Sequence, residues 1–252
     1  MVYNMVMKFS NLIPVNGNIC VIGGGGKTGL IEALEGELNA AGRPALTSVT
    51  TRLGRGQLPH LERIEAETLA EAQSAARRAE KDERLFLAGP FTPDNLTLDK
   101  YAGLPLDWFQ PLRRSFSRPL TFLIEADGSA GLPLKCHRPN EPVLPPLPNF
   151  VLAVLGLSVL TRPWSETVHR PEIFRDQVSP PNADLPLSPA QVADYVLAAW
   201  TRFSPGLIFL NQADELSGPD QVRAGRELAE RLAADGWTVA LGSLYQQYYE
   251  LF

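Results

Sequence analysis

Gly23-Gly24-Gly25-Gly26-Lys27-Thr28 sits between an apolar run and a helical pattern, and each residue type in it suits a polyphosphate. Glycines let backbone N–H groups close around phosphate oxygens without a Cβ clash. A helix starting at such a loop adds the partial positive charge of its N-terminus. Lys27 is placed to reach the β- and γ-phosphates, and the Thr28 hydroxyl to ligate Mg²⁺. The longer GxxxxGK[ST] spacing would need glycine where Val21 stands, so the match is to the shorter GxxGK[ST] form. A bare turn needs one or two glycines, not four ahead of Lys-Thr.

Further along, LTFLI runs directly into Glu125-Ala126-Asp127-Gly128. A carboxylate at a strand tip beside a phosphate loop holds Mg²⁺ or orients an attacking water. Glu125 and Asp127 share a face if the strand persists to Asp127. Thr50-Thr51-Arg52 ends another strand, where hydroxyls suit the γ-phosphate or the metal and Arg52 can offset transition-state charge. Asn211-Gln212-Ala213-Asp214 follows the apolar run LIFL. GTP-binding proteins carry N-K-x-D at such a point, so Asn211 and Asp214 are candidates for the base. Gln212 stands where the lysine would be, which leaves both ATP and GTP open.

Lys135-Cys136-His137-Arg138 forms a basic cluster in which Lys135 suits an anionic substrate such as a pterin phosphate. Cations beside Cys136 favour a thiolate, although a small residue in a loop is the preferred reading. His169-Arg170-Pro171-Glu172 joins a titratable ring, a fixed cation and a carboxylate. Such a set provides a general base and a phosphate clamp, or simply a capped helix start.

These residues must be held by alternating elements. Ile19 to Ile22 reads as a buried strand, Lys27 to Ala41 as a helix closed by Gly42, and Pro44 to Thr51 as a second strand. Helices are expected over Glu65 to Lys81, around Trp108, over Pro189 to Trp200 with Ser188 as cap, and over Gly218 to Ala234. Strands are expected at Arg84 to Ala88, Leu120 to Glu125, Phe150 to Leu157 and Leu207 to Leu210, with the last at Thr238 to Leu241. Residues 138–149 are proline-rich and read as an extended connector. The pattern predicts one α/β domain over residues 1–252: a P-loop NTPase-like, doubly wound, mostly parallel sheet with helices on both faces.

Composition narrows the partners. A net charge of -5 argues against nucleic acid and against an anionic membrane surface. Two cysteines make no disulfide framework and point to a reducing, cytoplasmic setting. The first fourteen residues make a poor signal peptide, and no run is long enough for a membrane span. Few histidines and cysteines, widely spaced, argue against structural zinc.

Taken together, VIGGGGKTG, VTTR, EADGSAGLPLK with EPVLP downstream, VHRPEIF and NQAD resemble the YqeC family, from about residue 15 to 245. The resemblance implies a P-loop protein that helps prepare the selenium-containing molybdenum cofactor of hydroxylases. It implies Lys27, Thr28, Glu125, Asp127, Lys135, His169 and Arg170 as site residues. The expected ligands are Mg²⁺ with ATP or GTP, and the expected partners a molybdopterin-type cofactor and a molybdenum hydroxylase. A nucleotide-gated chaperone and a non-catalytic cofactor carrier are the alternatives to an NTP-dependent enzyme.

Overall fold

Apolar runs that show no alternation belong in a sheet covered on both faces. The computed structural model, which describes residues 8–14, 16–81, 83–92, 100–117, 119–146 and 150–252, places them there. The strands are β1 (Asn18–Gly23), β2 (Ala45–Val49), β3 (Glu62–Glu65), β4 (Leu85–Ala88), β5 (Thr121–Glu125), β6 (Phe150–Gly156), β7 (Leu207–Asn211), β8 (Val239–Ser243) and β9 (Tyr248–Leu251). They lie in the order β9-β8-β7-β6-β1-β5-β2-β4-β3. Neighbours run parallel throughout, except the antiparallel pair β8–β9. The protein is therefore α/β, with one large and mostly parallel sheet.

Successive residues of β1 face opposite layers. Ile19 and Val21 pack against Leu30, Ile31, Leu34 and Leu38 of α1 (Lys27–Ala40). Cys20 and Ile22 join the other layer. That layer contains α2 (Leu69–Ala79), α3 (Pro189–Trp200) and α4 (Pro219–Ala234). Helices thus cover both faces. Thr68 with Glu71 and Ser188 with Gln191 close the starts of α2 and α3 as capping boxes. At α1 the cap is Gly26, which has no side chain to offer the helix amides.

Four expectations change. Helix α2 starts at Leu69 rather than Glu65, because Glu62 to Glu65 pairs with β4 as an edge strand whose mostly polar side chains hide its period. Thr238 to Leu241 is not the last strand, since Tyr248–Leu251 returns antiparallel beside it. The stretch after β2 adds a small antiparallel sheet of Arg52–Gly54, Lys100–Ala102 and Phe91–Thr92. The proline-rich residues 138–146 are no mere spacer, because Val143 N–H donates to Ala126 O at 3.0 Å beside the β5 tip. The connector's last residues, 147–149, and the first seven of the N-terminal segment lie outside the described residues. Among the described residues, no helix is long and apolar enough to cross a membrane.

Candidate functional site

The glycine loop crosses from the carboxyl end of β1 to α1, at the centre of the sheet between β5 and β6. Ligands of such sheets gather at these strand ends. Its amides divide into two groups. Gly23 N–H donates to Asp127 Oδ2 at 2.8 Å. Gly24 N–H donates to Val154 O at 2.9 Å and Gly25 N–H to Leu132 O at 3.1 Å. These three donors are spent on holding the loop, so they are not the phosphate cradle that the four glycines suggested. The first bond into the helix runs from Leu30 N–H to Gly26 O. Among the described residues, the amides of Gly26, Lys27, Thr28 and Gly29 are thus the unpaired first donors of α1. Glycine is needed at 24 because a Cβ there would stand 2.3 Å from Leu132 O. It is needed at 26 because φ is +122°.

Lys27 is almost buried, and its ammonium donates to Gly23 O at 2.8 Å and to Ser129 Oγ at 3.2 Å. Two carboxylates balance it. Asp127 Oδ1 lies 3.2 Å away as a charge contact that completes no hydrogen bond, and Glu125 Oε1 lies at 4.0 Å. Strand β5 ends at Glu125, so the two acids do not share a face. Glu125 turns to the start of α1, where Oε2 accepts from Thr28 Oγ1 at 2.9 Å. Burial pushes the Glu125 carboxyl above its ordinary range, with Lys27 and Thr28 only partly offsetting it. Asp127 instead points behind the loop to His137 Nε2 at 2.6 Å. Burial alone would raise its carboxyl, but Lys27, His137 and Lys135 outweigh it and hold Asp127 well below the usual range.

In front of the loop opens a cleft of 540 Å³. Gly25 to Gly29 and Glu125 form one wall, residues 128–131 another, and Arg52, Gly54, Gln57 and Lys100 of the small-sheet region the third. Gln57 joins two walls: its Nε2 donates to Thr28 Oγ1 at 2.9 Å while its Oε1 accepts from Gly54 N–H at 2.8 Å.

A family model described as YqeC protein matches residues 19–172, which include the loop, Glu125 and Asp127. The chain belongs to the YqeC family. It is 31% identical over 185 residues to the uncharacterized protein YqeC of Escherichia coli (strain K12). That match covers 68% of this chain and 64% of the relative, so the chain spans less than two thirds of the relative's length. No solved structure matches it.

The remaining family residues are distributed unevenly. Lys135 is fully buried, donates to Gly128 O at 2.6 Å, and lies 3.4 Å from Glu141 Oε2. Arg170 grips Glu141 with both terminal nitrogens and donates to Cys136 O at 3.0 Å. Burial would raise Glu141, but Arg170, the Arg138 amide and Lys135 bring it down to about 2. His169 pairs with Lys135 across two short strands, and burial lowers its ring. Lys135, His169 and Arg170 therefore form a cluster behind the loop and do not line the cleft. Cys136 is buried and pushed up to about 12, which removes the thiolate its neighbours suggested.

Asn211 does not present its amide to a base. Its Nδ2 donates to Gly25 O at 2.8 Å and its Oδ1 accepts from Leu244 N–H at 3.1 Å. Asp214 is exposed on the turn after it. Neither Thr51 nor Asp214 is among the residues lining the cleft, whereas Arg52 is. Sequence reasoning missed Gln57, Lys100, Ser129 and the Asp127–His137 contact. The last joins residues ten positions apart across a loop, a spacing no periodicity reveals.

Proposed function

We propose that the cleft binds a nucleoside triphosphate with Mg²⁺, in a P-loop NTPase-like manner, and that the protein couples it to phosphoryl transfer or hydrolysis. The observation that carries this reading is a single cleft lined by the start of α1, with its four unpaired amides, by Lys27 and by the Thr28–Glu125 pair. Amides and ammonium suit the β- and γ-phosphates. Thr28 Oγ1 and Glu125 Oε2 are hard oxygen donors side by side, the type Mg²⁺ takes, and these two would hold it. Bound there, Mg²⁺ would supply charge neutralisation to the phosphate oxygens. Asp127 lies outside that set and acts through Lys27, whose ammonium it orients at 3.2 Å. Either ATP or GTP fits this reading.

Among the described residues that line the cleft, Glu125 is the one acid and there is no histidine. That favours slow hydrolysis until a second reactant or a protein partner arrives, which is the behaviour of a nucleotide-gated chaperone. The family resemblance supplies the setting of the proposal: maturation of a selenium-containing molybdenum cofactor for a hydroxylase. Calorimetry of the full chain with Mg–ATP and Mg–GTP tests the core of it. Wild type is expected to bind one or both, and Lys27→Ala to lose at least about tenfold in affinity. No heat from either nucleotide with folded wild type would defeat the reading.

A further inference from the structure

Charge in the cleft is not balanced where it first seems to be. Lys27 is the obvious cation, yet Asp127 and Glu125 both lie within 4.0 Å of it. Lys135 and Arg170 are compensated in turn by Glu141. Across the cleft, Arg52 and Lys100 stand on adjacent strands of the small antiparallel sheet and both line the cavity. Among the described residues, neither makes an ion pair or a side-chain hydrogen bond. Among the described residues, the wall made of Arg52, Gly54, Gln57 and Lys100 has no apolar side chain, so this wall suits an oxyanion better than a base or a hydrocarbon. Two cations with no ion-pair partner among the described residues, facing a phosphate loop, attract an oxyanion.

We propose that Arg52 and Lys100 bind the second reactant, a small dianionic oxyanion such as a phosphate group, opposite the terminal phosphate of the nucleotide. This rests on the nucleotide reading above, and it moves the second substrate from the Lys135–Arg170 cluster to the small sheet. Two like-charged reactants repel each other, and fixed cations between them offset that repulsion without reorganisation. Gln57 ties the region of the Arg52 strand to Thr28, so both subsites share one framework.

Inorganic phosphate is the probe, followed by thermal shift and calorimetry on the full chain with saturating Mg–ADP. Wild type is expected to gain stability with phosphate. Arg52→Gln with Lys100→Gln is expected to weaken phosphate roughly ten- to hundredfold. The Kd for Mg–ADP in that variant reports folding and loop integrity. Glycerol phosphate in place of phosphate separates a free anion from a phosphate ester: either one binding through the two cations supports the proposal. No phosphate or ester effect on wild type would overturn it. So would a double variant that loses Mg–ATP but keeps phosphate, since the cations would then serve the nucleotide. If wild type bound phosphate through these residues but no nucleotide, the anion site would stand and the nucleotide reading would fall.

Discussion

Asp127→Asn separates a charge from a shape. The amide keeps the volume of the carboxylate and an oxygen for the Gly23 and His137 donors, now at 2.8 and 2.6 Å. What disappears is the negative charge 3.2 Å from Lys27, with both side chains at most 4% exposed. Removing one partner of a buried pair costs about 3–5 kcal/mol. Glu125 remains, but at 4.0 Å and bonded to Thr28, so it replaces the lost contact only in part and the cost stays at about 3 kcal/mol. For a chain of this size that is a fall in Tm of roughly 6–12 °C. The sign of the pH effect follows from the depressed carboxyl. Its stabilisation is complete above the ordinary aspartate value of 3.8 and drains away as pH falls below it. The gap between wild type and variant should therefore shrink by about 1 kcal/mol by pH 3. Urea unfolding of both proteins between pH 3 and 7 measures it. A Tm change under about 2 °C, or a gap that widens as the solution is acidified, would refute the claim that Asp127 is the main counter-charge of Lys27.

Two further outcomes are expected. Asn211→Ala should cost about 1–3 kcal/mol by leaving Gly25 O and Leu244 N–H unpaired, and should weaken nucleotide binding without removing a charged group; unfolding curves and calorimetry read both. Burial holds the His137 and His169 rings below the ordinary histidine value of 6.5. The unfolded chain then takes up protons first, so wild-type stability should fall as pH drops through 6.5, and His137→Gln should flatten part of that slope in urea titrations.

The central strands were readable because their apolar runs are continuous and end at glycines or acids. Helix α3 was readable to the residue, since Ser188, Pro189 and Gln191 mark its start chemically. Strand β3 was not, because Glu62-Arg63-Ile64-Glu65 is an edge with a single apolar side chain and its pairing partner lies beyond a helix. The loop, Thr28 and Glu125 were singled out by local chemistry, and the fold brings Thr28 Oγ1 within 2.9 Å of Glu125 Oε2. Asp127 looked equivalent to Glu125 on the page. Its different role depends on where β5 stops and on His137 reaching back across the loop. Asn211 was read as a base contact from its position after a strand, and its bond to Gly25 was not legible because the two are distant in sequence.

That clasp has a consequence for biosynthesis. Asn211 reaches back 186 positions to Gly25, and its other bond goes forward to Leu244. A ribosome extrudes the loop, Thr28 and both acids long before it makes the residue that fastens them. A nascent or truncated polypeptide that stops short of residue 211 therefore holds the loop, Thr28 and both acids but not the side chain that fastens Gly25 O.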